Sequence, residues 1–96
     1  MDFQVLYTKP SLEDLEDIVA YSAATFPASS ERFCISLLNH VDLLKSFPHI
    51  GSPVVGRPGI RQLIHTPIMI YYRVNAERKL VEILNVWHGA RDDISF

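Results

Sequence analysis

The residues best equipped for chemistry crowd into the last strand and tail, Leu80-Val81-Glu82-Ile83-Leu84-Asn85-Val86-Trp87-His88-Gly89-Ala90-Arg91-Asp92-Asp93. An imidazole at His88 can exchange a proton near neutral pH. A guanidinium at Arg91 can hold a planar anion, and an indole at Trp87 can anchor a partner. Each also has a plainer role. Trp87 reads equally as a cap on the core or as an exposed anchor. His88 has no triad partner in the sequence, which favours a bond to a neighbouring carbonyl over acid–base work. Arg91 has Asp92 and Asp93 beside it as ion-pair partners, and Gly89 permits a turn.

The remaining candidates are sparser. Arg61 and Arg73 fall on strand-like segments, where they can sit on a solvent face. His40, His49 and His65 show no metal-ligand spacing with acids or with each other, so no metal site is expected. Cys34 is the single cysteine and lies among Phe33, Ile35, Leu37 and Leu38. It reads as buried filler, it cannot form an internal disulfide, and it fits a cytosolic setting.

Those residues must be positioned by a small set of elements. Phe3 to Tyr7 is short and β-prone. Thr8-Lys9-Pro10-Ser11 supplies helix-start chemistry, with Thr8 or Ser11 as cap and an acidic cluster (Glu13, Asp14, Glu16, Asp17) complementing the helix dipole. Leu12, Leu15, Ile18, Val19 and Ser22 share one helical face, predicting a helix over about residues 10–24. After Phe26-Pro27-Ala28-Ser29-Ser30, a second amphipathic helix opens with Glu31 in its first turn. It carries Phe33, Leu37, Leu38, Val41 and Leu44 and stops at Phe47-Pro48. The short link predicts a helical hairpin. His49 to Gly59 reads as a loop. Ile60–His65, Ile68–Val74 and Leu80–Val86 read as strands, the middle one apolar enough to be central. The order β-α-α-β-β-β predicts an α+β domain with the hairpin on one face of a mainly antiparallel sheet. The first strand should lie beside one distant in sequence.

Bulk properties narrow the function classes. Ninety-six residues make one domain, and 48% hydrophobic content is ample for a core. No stretch reaches the length of a membrane span, and the N-terminus lacks a secretory pattern. Net charge is −2 with a pI near 6.0, which argues against direct nucleic-acid binding. The charge is uneven, however. Over residues 57–91, Arg57, Arg61, Arg73, Arg78, Lys79 and Arg91 outnumber Glu77 and Glu82.

Several segments in order resemble the RelE/ParE toxin superfamily, its ParE branch most closely. They are Asp14-Leu15-Glu16-Asp17-Ile18 with Tyr21, then Leu44-Lys45-Ser46-Phe47-Pro48-His49-Ile50-Gly51, which is similar to the family's "P-x-x-G" helix exit. Gly56 to Leu63 is similar to its glycine-led "R-x-L" strand, Tyr72-Arg73-Val74 to its central "Y-R-V" strand, and the tail to its last strand. The ordered set covers nearly the whole chain. It implies the toxin of a bacterial type II toxin–antitoxin pair, with no cofactor. ParE-type members are known as poisons of DNA gyrase, and RelE-type members cut mRNA in the ribosome.

The nuclease needs a base for the 2′-OH, a cation for the phosphorane and an acid for the leaving oxygen. The nearest residues are Arg61, His65, Arg73, His88 and Arg91. The pattern is thin. Ile68, Met69 and Ile70 stand where many ribonuclease members place an arginine, no lysine lies between Lys45 and Lys79, and no tyrosine follows His88. The resemblance therefore favours a ParE-like binding inhibitor of gyrase, with Trp87, His88 and Arg91 as target-binding candidates. RNA cleavage is the alternative, with Arg61, Arg73, His88 and Arg91 as its catalytic set, and an inactive antitoxin binder is the second. The expected partner is a ParD-like antitoxin, held in a hetero-oligomer. Ile68 to Tyr72 put apolar groups on both sheet faces, so some apolar surface should stay open to that antitoxin. Tyr71, Tyr72 and Arg73 are its candidate contacts.

Overall fold

The computed structural model describes residues 2–89. Its elements are β1 (Gln4–Tyr7), α1 (Lys9–Thr25), α2 (Ser30–Asp42), a 3-10 turn (Leu43–Lys45), β2 (Ser52–Pro53), β3 (Arg61–His65), β4 (Ile68–Asn75) and β5 (Leu80–His88). The five strands form one sheet in the order β1-β5-β4-β3-β2. All pairings are antiparallel except β1 with β5, which is parallel. This is the predicted α+β arrangement. The first strand pairs with a strand distant in sequence, as expected, and that strand is the last one.

Local chemistry explains most boundaries. Thr8 caps α1, its hydroxyl accepting from the Ser11 amide, and Pro10 occupies the first turn. Because α1 starts at Lys9, its first turn holds no acidic residue. The acidic cluster therefore lies too far along to serve the helix dipole as expected. The second helix ends earlier than its sequence suggests. It gives way at Leu43 to a 3-10 turn that carries the chain toward Phe47-Pro48. The loop after Pro48 is also more ordered than predicted, since Ser52 and Pro53 pair with Gln62 and Arg61 as a short edge strand.

The hairpin packs on one sheet face, α1 against β5 and α2 against β3. Ile18, Leu37, Val41 and Leu44 meet Leu63, Ile70, Tyr72, Val81, Ile83 and Val86 in a single core. Burying each such side chain contributes about 1.5–3 kcal/mol. Strand β4 sits at the centre of the sheet, and Ile68, Ile70, Tyr71 and Tyr72 are all buried on it.

The ladder between β4 and β5 has one irregularity. Arg73 pairs with Glu82 and Tyr72 with Ile83, but Tyr71 then pairs with Asn85, so Leu84 is passed over. This bulge inverts the alternation. Val81 and Ile83 face the helices, and beyond the bulge so do Val86 and His88. Trp87 pairs with Met69 and turns to the opposite face.

Candidate target and partner interface

The motif residues of the middle of the chain meet in one structural pin. The buried amide of Gly51 donates to the Tyr72 hydroxyl at 2.9 Å. The Arg61 guanidinium donates to the carbonyls of Gly51 at 2.6 Å and His49 at 3.2 Å. A side chain at position 51 would collide with the Gln62 carbonyl and the Tyr72 hydroxyl, each 2.6 Å from the added carbon. Position 51 must therefore be glycine for the loop to reach the sheet. Burial raises the Tyr72 pKa above its usual 10.0, while the Gly51 amide and Arg61 pull against it. The phenol stays protonated at neutral pH.

These contacts place the sequence-derived candidates as follows. Tyr72 is 0% exposed in the core, so it offers no surface to an antitoxin. Tyr71 lies on the face away from the helices, as alternation predicts, yet it too is only 5% exposed and its hydroxyl reaches the Met69 sulfur. Arg73 is exposed on that face and pairs with Glu82 across the ladder at 3.1 Å. Arg61 is engaged by two carbonyls. His88 faces the helix side and packs edge-on against the Tyr21 ring, with centroids 4.9 Å apart. Trp87 lies half-buried on the open face, in a row with Met69 and Ile64. Arg91 falls outside the described residues.

The described nuclease candidates, Arg61, Arg73 and His88, do not converge. Arg61 and His88 sit opposite Tyr72 and Ile68 of β4, four residues apart, or about 13 Å along the strand. Arg73 points from the other face of the sheet. Among the described residues no base, cation and acid surround a common point.

One pairing went unnoticed in the sequence. His40 of α2 and His65 of β3 meet through their Nδ1 atoms at 2.9 Å, with Phe33 beside His65. One ring donates and the other accepts, so the contact requires at least one lone pair. Burial first, and the proximity of His40 second, lower the His65 pKa below 6.5. Among the described residues no cluster of three or more His, Cys, Asp or Glu could hold a metal ion. No helix there is long and apolar enough to cross a membrane.

The uncovered apolar surface lies on the hairpin more than on the sheet. Leu12 and Val19 of α1 and Ile35 and Leu38 of α2 are each roughly half exposed. Between the helices, Leu15, Ile18, Val19, Cys34, Leu37 and Leu38 enclose a cleft of about 80 Å³. Beside it, Leu12, Leu15, Val19 and Ala20 line a shallow depression of about 440 Å³, with Glu16 at its rim. On the sheet face, among the described residues, only Ile64 and Leu6, toward its two edges, are comparably open.

With this geometry in hand, comparison with known proteins defines the class. Residues 5–93 match the family described as ParE toxin of type II toxin–antitoxin system, parDE. The chain belongs to this family, within the RelE/ParE superfamily. Its fold is similar to that in the chromosomal ParDE system from P. aeruginosa, at 21% identity and a TM-score of 0.74, covering 88% of this chain and 92% of that one. It is also similar to the RelBE2 toxin–antitoxin complex from Mycobacterium tuberculosis, at 22% identity and 0.70, covering 92% and 99%. The isolated E. coli RelE toxin gives 17% identity and 0.61, covering 95% and 88%. No curated protein sequence matches the chain.

Proposed function

We propose that this chain is a toxin that inhibits DNA gyrase by binding, and that a ParD-like antitoxin neutralises it. The observation that carries the reading is the dispersal of the candidate catalytic groups among the described residues. Arg61 is committed to the carbonyls of His49 and Gly51, Arg73 to Glu82, and His88 is buried at the far end of the sheet. A ribonuclease needs these groups around one phosphate, whereas a binding inhibitor needs only a surface. Membership of the ParE toxin family supports the same choice. The target surface in this reading is the β5 end, where Trp87 stands on the open face, together with Arg91.

The antitoxin binds the hairpin. Leu12, Val19, Ile35 and Leu38 form an apolar surface that an amphipathic segment of the antitoxin would cover. Glu16 at the rim favours a basic residue in that segment. The solved neighbours named ParDE and RelBE2 are toxin–antitoxin systems, which is consistent with such a partner.

The test is a supercoiling and cleavage assay with purified gyrase, run beside a ribosome-dependent mRNA cleavage assay. Trapped gyrase–DNA breaks with intact mRNA support the proposal. Cut mRNA with unaffected gyrase would overturn it in favour of the RelE-like reading. Silence in both assays, with the antitoxin still bound, would indicate an inactive member.

A further inference from the structure

Which face of the sheet receives Trp87 depends on the bulge at Leu84, and from there on β5 has no neighbour strand on its β1 side, because β1 ends at Tyr7 opposite Ile83. The structure meets its backbone there from α1. The Val86 amide donates to Asp14 Oδ2 at 2.9 Å, and the Asn85 side-chain amide reaches the same oxygen at 3.5 Å. On the other side of Leu84, the Ile83 carbonyl accepts from the Thr8 hydroxyl at 2.7 Å and from the Thr8 amide at 3.2 Å. The cap Thr8 and Asp14 of α1 thus hold the strand on both sides of its extra residue.

A regular β5 without the bulge would place positions 81, 83, 85 and 87 on one face. Trp87 would then point at the helices, while Val86 and His88 would point outward. That alternative exposes a valine. The observed register instead buries Val86 and brings His88 to Tyr21.

We propose that Asp14 is a positioning residue that fixes the register of β5 and so presents Trp87 on the face used for target binding. The second half of this statement rests on the gyrase reading above. The first half does not. A carboxylate suits the task because it only accepts, and it can take the backbone and side-chain N–H groups together. The membership of Asp14 in an acidic cluster, whose other members Glu13, Glu16 and Asp17 are exposed, hides this role in the sequence.

Nuclear magnetic resonance of the wild-type chain tests the register directly. A scalar coupling from the Val86 amide nitrogen to the Asp14 carboxyl carbon is expected, with contacts from the Trp87 indole to the Met69 methyl. Contacts from that indole to Ile18 would overturn the proposal without any variant. Asp14→Ala should accelerate hydrogen exchange at Val86 by about tenfold or more and change the emission of Trp87, the sole tryptophan. Asp14→Asn, which keeps an acceptor oxygen, should restore both. Unchanged exchange and emission in Asp14→Ala would refute the positioning role. A changed register with undiminished gyrase inhibition would refute its link to the target. If the wild-type chain leaves gyrase untouched, the functional reading fails while the register measurements stand on their own.

Discussion

Replacing Tyr72 by Phe should destabilise the protein without altering its surface. The ring stays in the core, so packing is nearly unchanged, but the Gly51 amide loses its acceptor at 2.9 Å. Tyr72 is fully enclosed and Gly51 is buried, so water cannot easily replace the hydroxyl. A buried donor left unpaired costs about 1–3 kcal/mol. For a domain of this size, a loss of about 2 kcal/mol lowers Tm by roughly 8–16 °C. Urea and thermal unfolding of Tyr72→Phe beside the wild type give the number. Activity of the folded variant, measured well below its Tm, should match the wild type. A stability loss below about 0.5 kcal/mol would refute the idea that the hydroxyl pins the loop. Lost activity at full stability would refute it more sharply, because Tyr72 would then have a direct part in the toxin's action.

The same logic extends to the neighbouring positions. Arg61→Ala removes the donors to His49 and Gly51 and should cost about 1–3 kcal/mol in urea unfolding, with no specific loss in gyrase inhibition by the folded protein. Gly89→Ala would bring a carbon to 2.9 Å from the Pro67 carbonyl that accepts the Gly89 amide; a destabilisation of about 1–3 kcal/mol is expected from such overpacking, read as a lower unfolding midpoint. The histidine contact predicts a pH dependence. The folded-state pKa of His65 is depressed below 6.5, so the unfolded chain binds the extra proton first, and the contribution present above pH 6.5 is lost as pH falls through the depressed value. The denaturant midpoint of His65→Asn should accordingly fall less than the wild-type midpoint between pH 7 and pH 5, and parallel curves would refute the coupling. Leu38→Glu on the hairpin should weaken antitoxin binding by titration calorimetry while leaving the monomer's stability within about 0.5 kcal/mol, as for an ordinary surface change.

Much of the fold was legible because the signals were local. Thr8, Pro10 and the spacing of Ile18 and Ser22 announce α1, and the β-branched and aromatic run from Ile68 to Val74 announces a central strand. That β1 pairs with a strand distant in sequence followed from topology, since the helices separate it from every other strand, while the choice of β5 came from the structure. The candidate interface was legible only in part. Trp87 and His88 could be picked out as chemistry at a strand end, but alternation alone would have sent them to the wrong faces. Arg61 and Tyr72 stood in recognisable motifs, yet nothing in those motifs distinguishes a catalytic group from a pin on a loop.

What the sequence determined by itself is therefore the two helices and four of the five strands, their order, and membership of a toxin superfamily through ordered motifs. The tertiary structure decided which partner each polar group takes. Asp14 reaches Val86 across 72 positions, Tyr72 meets Gly51 across 21, and His40 meets His65 across 25. Hydrophobic periodicity is a property of neighbours in the chain. A hydrogen bond of about 3 Å depends on where the folded backbone brings distant atoms together. One extra residue at Leu84, held from α1, is enough to exchange the faces of Trp87 and His88.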